Sequence, residues 1–392
     1  MDRKYELTRN NKMIPMAMMA IGVIAVVMGF MTNSTRTWAV LLQNNFYFTA
    51  MALAATFFVA FNYVAQAGWA VSIKRVPEAM GQFLLYGMSA MIIIFFLGKG
   101  DLYHWTHSAL TTPGSPEYDE ILAGKTGYLN IPFFTIRMVL YGLIWYGFTY
   151  MLRKHSLQED QDGDIVHYKR SFGMSATFLV LFAVTSSTAA WDILMSIDAH
   201  WFSTLFGWYT FAGLFVSGLA MMCLFILYLM KRGYMEHVTE NHLHDVGKFM
   251  FAFSVFWTYL WFSQFMLIWY ANLPEEVVYY KIRWEYFRTK WVLNLLINFC
   301  APFLVLMTRD AKRKVGILWV GGIIILCGHW LDVFMMVMPG TVGKDASIGW
   351  IEIGVAIGYL GAFILSTLTQ LSKAALVPKN HPMLQESLHH HI

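Results

Sequence analysis

Ten long apolar runs dominate this 392-residue chain and constrain its fold more than any other feature. Each run is long enough for an α-helix to cross about 30 Å of hydrocarbon. Hydrophobic residues make up 57% of the chain and charged residues 13%, which is a membrane-protein composition. The sequence therefore predicts an all-α integral membrane protein with about ten transmembrane helices, near residues 14–31, 46–70, 79–97, 131–152, 172–191, 202–230, 246–271, 291–308, 315–338 and 348–372.

Lys and Arg counts predict the orientation of these helices. With the N-terminus in the cytoplasm, nineteen of the 28 basic residues fall on the cytoplasmic side and eight on the outer side, and Arg137 is embedded. This bias follows the positive-inside rule, so we expect both termini to be cytoplasmic. The net charge of +4 reflects the same bias and gives no support to a nucleic-acid role.

The order of the helices suggests an internal duplication within one transmembrane domain, 1–392. We expect a first four-helix bundle over 46–191 and a second over 202–338, flanked by the first and last helices, with a polar cytoplasmic tail at 378–392. Each bundle ends with a Trp and an acid, Trp191-Asp192 and Trp330 with Asp332. Coincidence remains an alternative, because Trp is common at membrane interfaces.

Five ionisable residues lie inside the apolar runs, where charge is costly and functional roles are common. In the second bundle these are His329 and Asp332, three residues apart on one helix face, and Glu352 at the start of the next helix. We expect the three to share one hydrogen-bonded network near the outer face that relays protons. A structural network joining two helices is the alternative.

The first bundle carries Arg137 and Asp192, which we expect to pair because either charge alone would be buried without compensation. They belong to the same predicted proton relay. The corner that follows offers Asp198, His200 and Trp201 as a quinone-headgroup or proton-exit site.

Redox cofactors are not expected on this chain. Its cysteines, Cys223, Cys300 and Cys327, form no Cys-x-x-Cys pair, and only His329 lies clearly inside an apolar run. We expect no bound metal or haem, so electrons would have to reach centres held by other subunits. The outer segments 99–130 and 272–290 are the predicted docking surfaces. The first should pack as a cap, and the second suits an interfacial helix or a partner contact.

Three stretches resemble a known family. They read YLNIPFFTIR at 128–137, MSIDAHWFSTLFGWY at 195–209 and FSQFMLIWYANLPEE at 262–276. The chain is similar to membrane subunits of bacterial alternative complex III, within the wider NrfD or polysulfide-reductase membrane-subunit family, and most resembles the ActF-like branch.

This resemblance implies a quinol:electron-acceptor oxidoreductase complex in the bacterial inner membrane. The implied partners are an ActC-like paralogue, an iron–sulfur subunit and multihaem cytochrome c subunits. The chain would then contribute a quinone-binding or proton-conducting site near the periplasmic face. A secondary transporter or ion channel is one alternative, although transporters more often place the site between broken helices at mid-membrane. A purely structural anchor is the other.

Overall fold

The computed structural model describes residues 3–391. Within this range ten helices are long and apolar enough to cross a membrane, and no β-sheet is present. The chain is therefore an all-α, multi-pass membrane protein, and this prediction is confirmed. The ten helices are α1 (Arg9–Thr32), α2 (Ser34–Val64), α3 (Arg75–Leu102), α4 (Ile131–Asp162), α5 (Ile165–Ile193), α6 (Leu205–Lys231), α7 (Glu240–Ala271), α8 (Pro274–Leu306), α9 (Val315–Thr341) and α10 (Trp350–Leu371).

The two ends of the described chain lie at one face of the bundle. Lys4 forms a β-bridge with Ala375, which follows α10. We call this side the termini face and the opposite side the distal face. Which face is cytoplasmic stays a prediction. The polar tail folds back onto the termini face, where the short helix Leu384–Leu388 contacts the segment Gly68–Ile73 between α2 and α3. Ile392, the last residue of the predicted tail, lies outside the described residues.

The second helix begins earlier than predicted. Only Asn33 separates α1 from α2, and its side chain accepts a hydrogen bond from the Arg36 backbone N–H at 2.9 Å. The sequence predicts that the second helix begins near residue 46, yet the amides at 43–45 are helical and lie inside the bundle. Asn44 accepts a 2.8 Å hydrogen bond from Trp330 of α9, and Asn45 donates one to a backbone carbonyl of α3. Polar residues remain in a membrane helix when neighbouring helices satisfy them.

Two helices form the centre of the molecule. Helix α2 packs against α3, α5, α6, α9 and α10, and α6 packs against α5, α7 and α9 as well. Helices α2 to α5 contact one another, as do α6 to α9. The proposed duplication stays a prediction. Helix α10 packs mainly on α1, with further contacts to α2 and the start of α3. Helix α1 exposes most of its apolar surface, which suits contact with lipid.

Both predicted docking segments are more ordered than loops. Residues 272–290 fall almost entirely within α8, which bends at Phe287 (φ −124°, ψ 21°) and contains a π-helical turn at Leu296–Cys300. The helix that contains the eighth predicted span therefore begins at Pro274, before the predicted start near residue 291. The segment before α4 packs as a cap, as expected, because its own residues Trp105 and Leu122 are buried.

Candidate functional site

Asp332 on α9 is a buried carboxylate that is 1% exposed and lies among four helices. It accepts hydrogen bonds from one residue on each of three other helices. Tyr209 of α6 donates to Oδ1, Asn294 Nδ2 of α8 donates to Oδ1 at 2.8 Å, and Trp257 Nε1 of α7 donates to Oδ2 at 3.0 Å. Four helices therefore converge on one carboxyl group, which we call the Asp332 site.

A π-helical turn in α8 lies beside this site. Asn298, inside the turn, donates to Asn294 Oδ1 at 2.7 Å, which leaves the Asn294 amino group directed at Asp332. Asn298 fits against α9 because residue 328 is glycine. A Cβ at Gly328 would lie 2.3 Å from Asn298 Oδ1. Such π turns occur frequently at functional sites.

His329 lies next to Asp332 but is held differently. Its Nδ1 is 3.9 Å from Asp332 Oδ2, beyond hydrogen-bond distance, and its ring meets the Trp257 ring edge-on at 5.2 Å. Neither ring nitrogen has a hydrogen-bond partner among residues 3–391. The expectation that His329 and Asp332 lie close together is confirmed. The buried His329 side chain therefore has two ring nitrogens that are not hydrogen-bonded to any described residue.

Two small cavities flank the Asp332 carboxyl group. The first, about 20 Å³, opens toward Gln264, Tyr280 and Arg283. The second, about 10 Å³, lies toward the bundle interior and is lined by residues including Tyr47, Ser217 and His329. A water molecule needs about 10–15 Å³ of such space, so the first has room for one water and the second is at the lower limit. A quinone headgroup fits neither.

A larger opening lies beside the first cavity, between α7 and α8. This lateral cleft has a volume of about 340 Å³ and is lined by Phe265, Trp269, Tyr280, Lys281, Trp284 and Trp291, among others. Tyr280 and Trp291 line both spaces. Gln264 Nε2 donates to the Tyr280 hydroxyl at 2.9 Å. Tyr280 thus connects the cleft to the first cavity, where the side-chain oxygen of Gln264 has no partner among the described residues.

Glu352 does not belong to the Asp332 site, so the prediction of one network with His329 and Asp332 is wrong. Its carboxylate forms a two-pronged ion pair with Arg36 of α2 (Nε–Oε1 2.7 Å, Nη2–Oε2 2.9 Å). It also accepts the Gly349 N–H at 2.8 Å, which caps α10. The error comes from chain order, because α10 crosses to α1 and α2 instead of packing along α9.

The predicted pair in the first half is confirmed. Arg137 Nε and Nη2 donate to the two Asp192 carboxylate oxygens at 2.8 and 2.9 Å, and Tyr141 donates to Oδ2 at 2.7 Å. The Arg137 guanidinium also lies 3.9 Å from the centre of the Tyr128 ring. Every charge here has an opposite partner. Such geometry is suited to clamping α4 to α5; whether the pair relays protons stays a prediction.

The residues predicted to bind a quinone headgroup divide between two places. Asp198 is 3.3 Å from Arg283 Nη2, and Trp201 stacks on Tyr279 with ring centres 3.9 Å apart. His200 turns away to the cap and contacts Asp119 at 2.6 Å. A single pocket formed by Asp198, His200 and Trp201 is therefore not found, because the chain reverses at this corner.

The cap carries a solvent-exposed contact between a histidine and a carboxylate. Backbone hydrogen bonds from Leu122 and Ile121, with His200 nearby, hold the pKa of Asp119 below its usual value. Lys125 Nζ donates to the Ala199 carbonyl at 2.6 Å. These contacts join the cap to the corner between α5 and α6.

Several residues of the site are not singled out by sequence reasoning. Tyr209 and Trp257 read as ordinary aromatic packing residues, and Asn294 reads as interhelical glue. Arg36 and Arg283 are counted only for topology. These residues carry polar groups that lie near an acid on another helix. Such groups become informative only when it is known which helices pack together.

A second group of buried charges, at the termini face, is also missed. Its members come from the start of α3 and the end of α4: Lys74, Arg75, Glu78, Arg153, Glu159 and Asp160. Among residues 3–391 no three His, Cys, Asp or Glu side chains are arranged to hold a metal ion.

Comparison with known proteins adds no family assignment, because no protein-family model and no curated protein matches the chain.

Proposed function

We propose that this chain is a membrane subunit of a quinol-oxidising respiratory complex and that it conducts protons through the Asp332 site. The observation that carries the proposal is a carboxyl group held by three hydrogen-bond donors between two small cavities. The membership of a respiratory complex rests on the resemblance of 128–137, 195–209 and 262–276 to alternative complex III subunits.

The surroundings of Asp332 suit proton transfer. A buried ionised carboxylate is stabilised by its donors, and a buried neutral carboxyl avoids the cost of desolvated charge, so the two states can be close in free energy. The Tyr209 hydroxyl can exchange a proton with the carboxylate directly, and His329 lies within one water of it.

The test is proton flux in liposomes. The chain is purified with the subunits that accompany it and is reconstituted into liposomes. A K⁺ diffusion potential drives protons across the membrane, and a pH-sensitive dye inside the liposomes reports the flux. We expect D332N to lower the flux roughly 10²-fold or more, because an amide cannot bind and release a proton as a carboxyl group does. Y209F should lower it less, since the other two donors remain.

Glu352 provides the matched control. E352Q removes another buried acid of similar exposure, but one paired with Arg36 away from the cavities. It should leave the flux unchanged. If D332N conducts like the unmodified protein, the proposal is wrong and the structural-anchor alternative gains. Flux of a solute in preparations without haem-containing partners would favour a transporter.

The lateral cleft favours a second candidate, quinone binding. Its volume and its five aromatic side chains suit a quinone ring. A water-soluble short-chain quinone should quench tryptophan fluorescence, and W284A should weaken this quenching. W350A, which removes an exposed Trp at the start of α10, is the control. Equal quenching in both variants would contradict binding in the cleft.

A further inference from the structure

A buried carboxylate without a hydrogen bond marks the termini face. Glu159, near the end of α4, is 1% exposed, and neither of its carboxylate oxygens has a hydrogen-bond partner among residues 3–391. A buried charge in that state costs several kcal/mol. Glu159 therefore gains by binding a proton, whereas a paired neighbour would not.

The other acids around Glu159 form ion pairs, whereas Glu159 does not. Arg75 contacts Glu78 Oε2 at 2.7 Å and also bonds to Asp160, and Lys74 lies 3.5 Å from Glu78 Oε1. These contacts neutralise Glu78 and Asp160. Arg153 is directed to the Gln370 carbonyl at 2.7 Å through Nη2. Among the described residues, Glu159 is thus the one acid of this cluster that forms no ion pair.

The C-terminal tail covers this cluster. Asn380 Nδ2 donates to the Glu159 backbone carbonyl at 3.1 Å, and the Lys379 N–H donates to Asp160 Oδ1 at 2.9 Å. His381 is buried, with its ring centre 5.4 Å from Tyr168 and 5.9 Å from Tyr63. These contacts join the tail to the end of α4 beside the buried Glu159.

A small cavity lies under the same cover. It has a volume of about 20 Å³, room for one water, and its lining includes Asn62, Tyr63, Lys74, Tyr168 and His381. The Asn62 carbonyl oxygen in this lining is buried without a partner. Glu159 itself is not in this lining, so the cavity provides space for one water beside the cluster.

We propose that Glu159 is a proton-binding site that exchanges with the aqueous phase at the termini face, and that residues 379–381 cover it. The bound species is a proton, taken from water by the carboxylate and returned to water. The Glu159 proposal rests on the proposed function only for the path that the proton takes from Glu159 toward Asp332. The charged and titratable groups around Glu159 are Lys74, Arg75, Glu78, Arg153, Asp160, Tyr63, Tyr168 and His381.

Infrared spectroscopy of the full chain in lipid nanodiscs tests the site. A protonated carboxyl group gives a C=O stretching band that shifts in D₂O. We expect E159Q to remove one such band and D160N to retain it, because Asp160 is paired with Arg75. E159D should move the band without removing it, so a misfolded E159Q does not decide the result. If E159Q and E159D leave the protonated-carboxyl bands unchanged, the site is refuted.

Tail truncation tests the cover. A chain ending at Val377 lacks residues 379–381, whereas a chain ending at Met383 keeps them. We expect hydrogen–deuterium exchange of the Glu159 band to be about tenfold faster or more in the first and unchanged in the second. Equal exchange rates would refute the cover. D332N should alter neither the Glu159 band nor its exchange rate. Failure of the proposed function is therefore distinguishable from failure of the Glu159 site.

Discussion

Two buried carboxylates of this chain are held in opposite ways. Asp192 has a guanidinium across both oxygens, and its charge is fully compensated. Asp332 has only neutral donors, so its charge is stabilised by dipoles alone. Neutral donors allow a carboxyl group to gain and lose a proton, whereas an Arg partner keeps it ionised. This difference separates a group suited to proton transfer from one suited to holding two helices together.

The Arg137–Asp192 pair yields a stability prediction. R137M or D192L alone should lower the free energy of unfolding by about 3–5 kcal/mol, because each leaves one buried charge unpaired. The double variant R137M/D192L should recover most of this loss. Thermal unfolding in detergent, followed by circular dichroism, measures the effect. Single variants as stable as the unmodified protein would show that the pair is not a clamp.

Because of the surroundings of His381, we expect the tail to be released at acidic pH. Burial, with Lys74 and Arg75 nearby, lowers the pKa of His381 from its usual value to about 2. The docked tail therefore holds a neutral imidazole, while a released tail binds a proton near pH 6.5. Between pH 6.5 and 2 the released state carries more protons, so docking weakens as pH falls through this window, by up to about tenfold per unit.

A nitroxide label at position 385, introduced by Q385C in a cysteine-free background, should report this release as increased mobility below pH 6.5. H381F keeps a ring in the same place but cannot titrate, so its tail should stay docked at the same pH. An identical pH response in both proteins would assign the release to another group.

At the scale of elements, hydropathy predicts the ten helices correctly but not their neighbours. His329 and Asp332 can be found because ionisable groups in apolar runs are conspicuous. The Glu352 partner, Arg36, cannot, because it lies in a stretch whose polar residues read as a loop. Likewise Arg283 reads as part of an outer segment, yet it is 3% exposed in α8. Chain order and polarity alone do not determine which helices pack together.

The contact between α1 and α10 depends on glycine. A Cβ at Gly358 would lie 2.6 Å from the Gly22 Cα, so the two helices touch backbone to backbone. We expect G358L to separate α1 from α10 and to lower the unfolding temperature. G147A, on α4 where a Cβ meets nothing within 4 Å, should be neutral or stabilising by up to about 1 kcal/mol. Equal unfolding temperatures for the two variants would contradict this close contact.

At the scale of the whole molecule, α2 and α6 connect the two sets of four helices. Both are mostly buried, and they cross where Gly218 meets Ala54. A Cβ at Gly218 would lie 2.4 Å from the Ala54 Cβ, so no larger residue fits without moving a helix. The tail adds a second connection, because it contacts α4 through Asn380 and α7 through His390, which lies 2.6 Å from Asp245.

We therefore expect G218V to destabilise both sets of helices together. Its tryptophan fluorescence and its proteolysis at sites in either set should change at the same, lowered temperature, since a shared interface makes unfolding cooperative. G173A, on α5 with open space around it, serves as the control. Loss of structure in one set alone would show that the halves are independent.

The π turn at Leu296–Cys300 has a consequence for the length of α8. Such a turn amounts to one extra residue within an α-helix. Deleting a single residue there would restore regular geometry and rotate the preceding part of α8 by about 100° relative to the rest. Asn294 would then lose its hydrogen bond to Asp332, although residue 294 itself was not substituted. A one-codon gap at this point in a homologous gene should accordingly coincide with loss of the Asn294 contact.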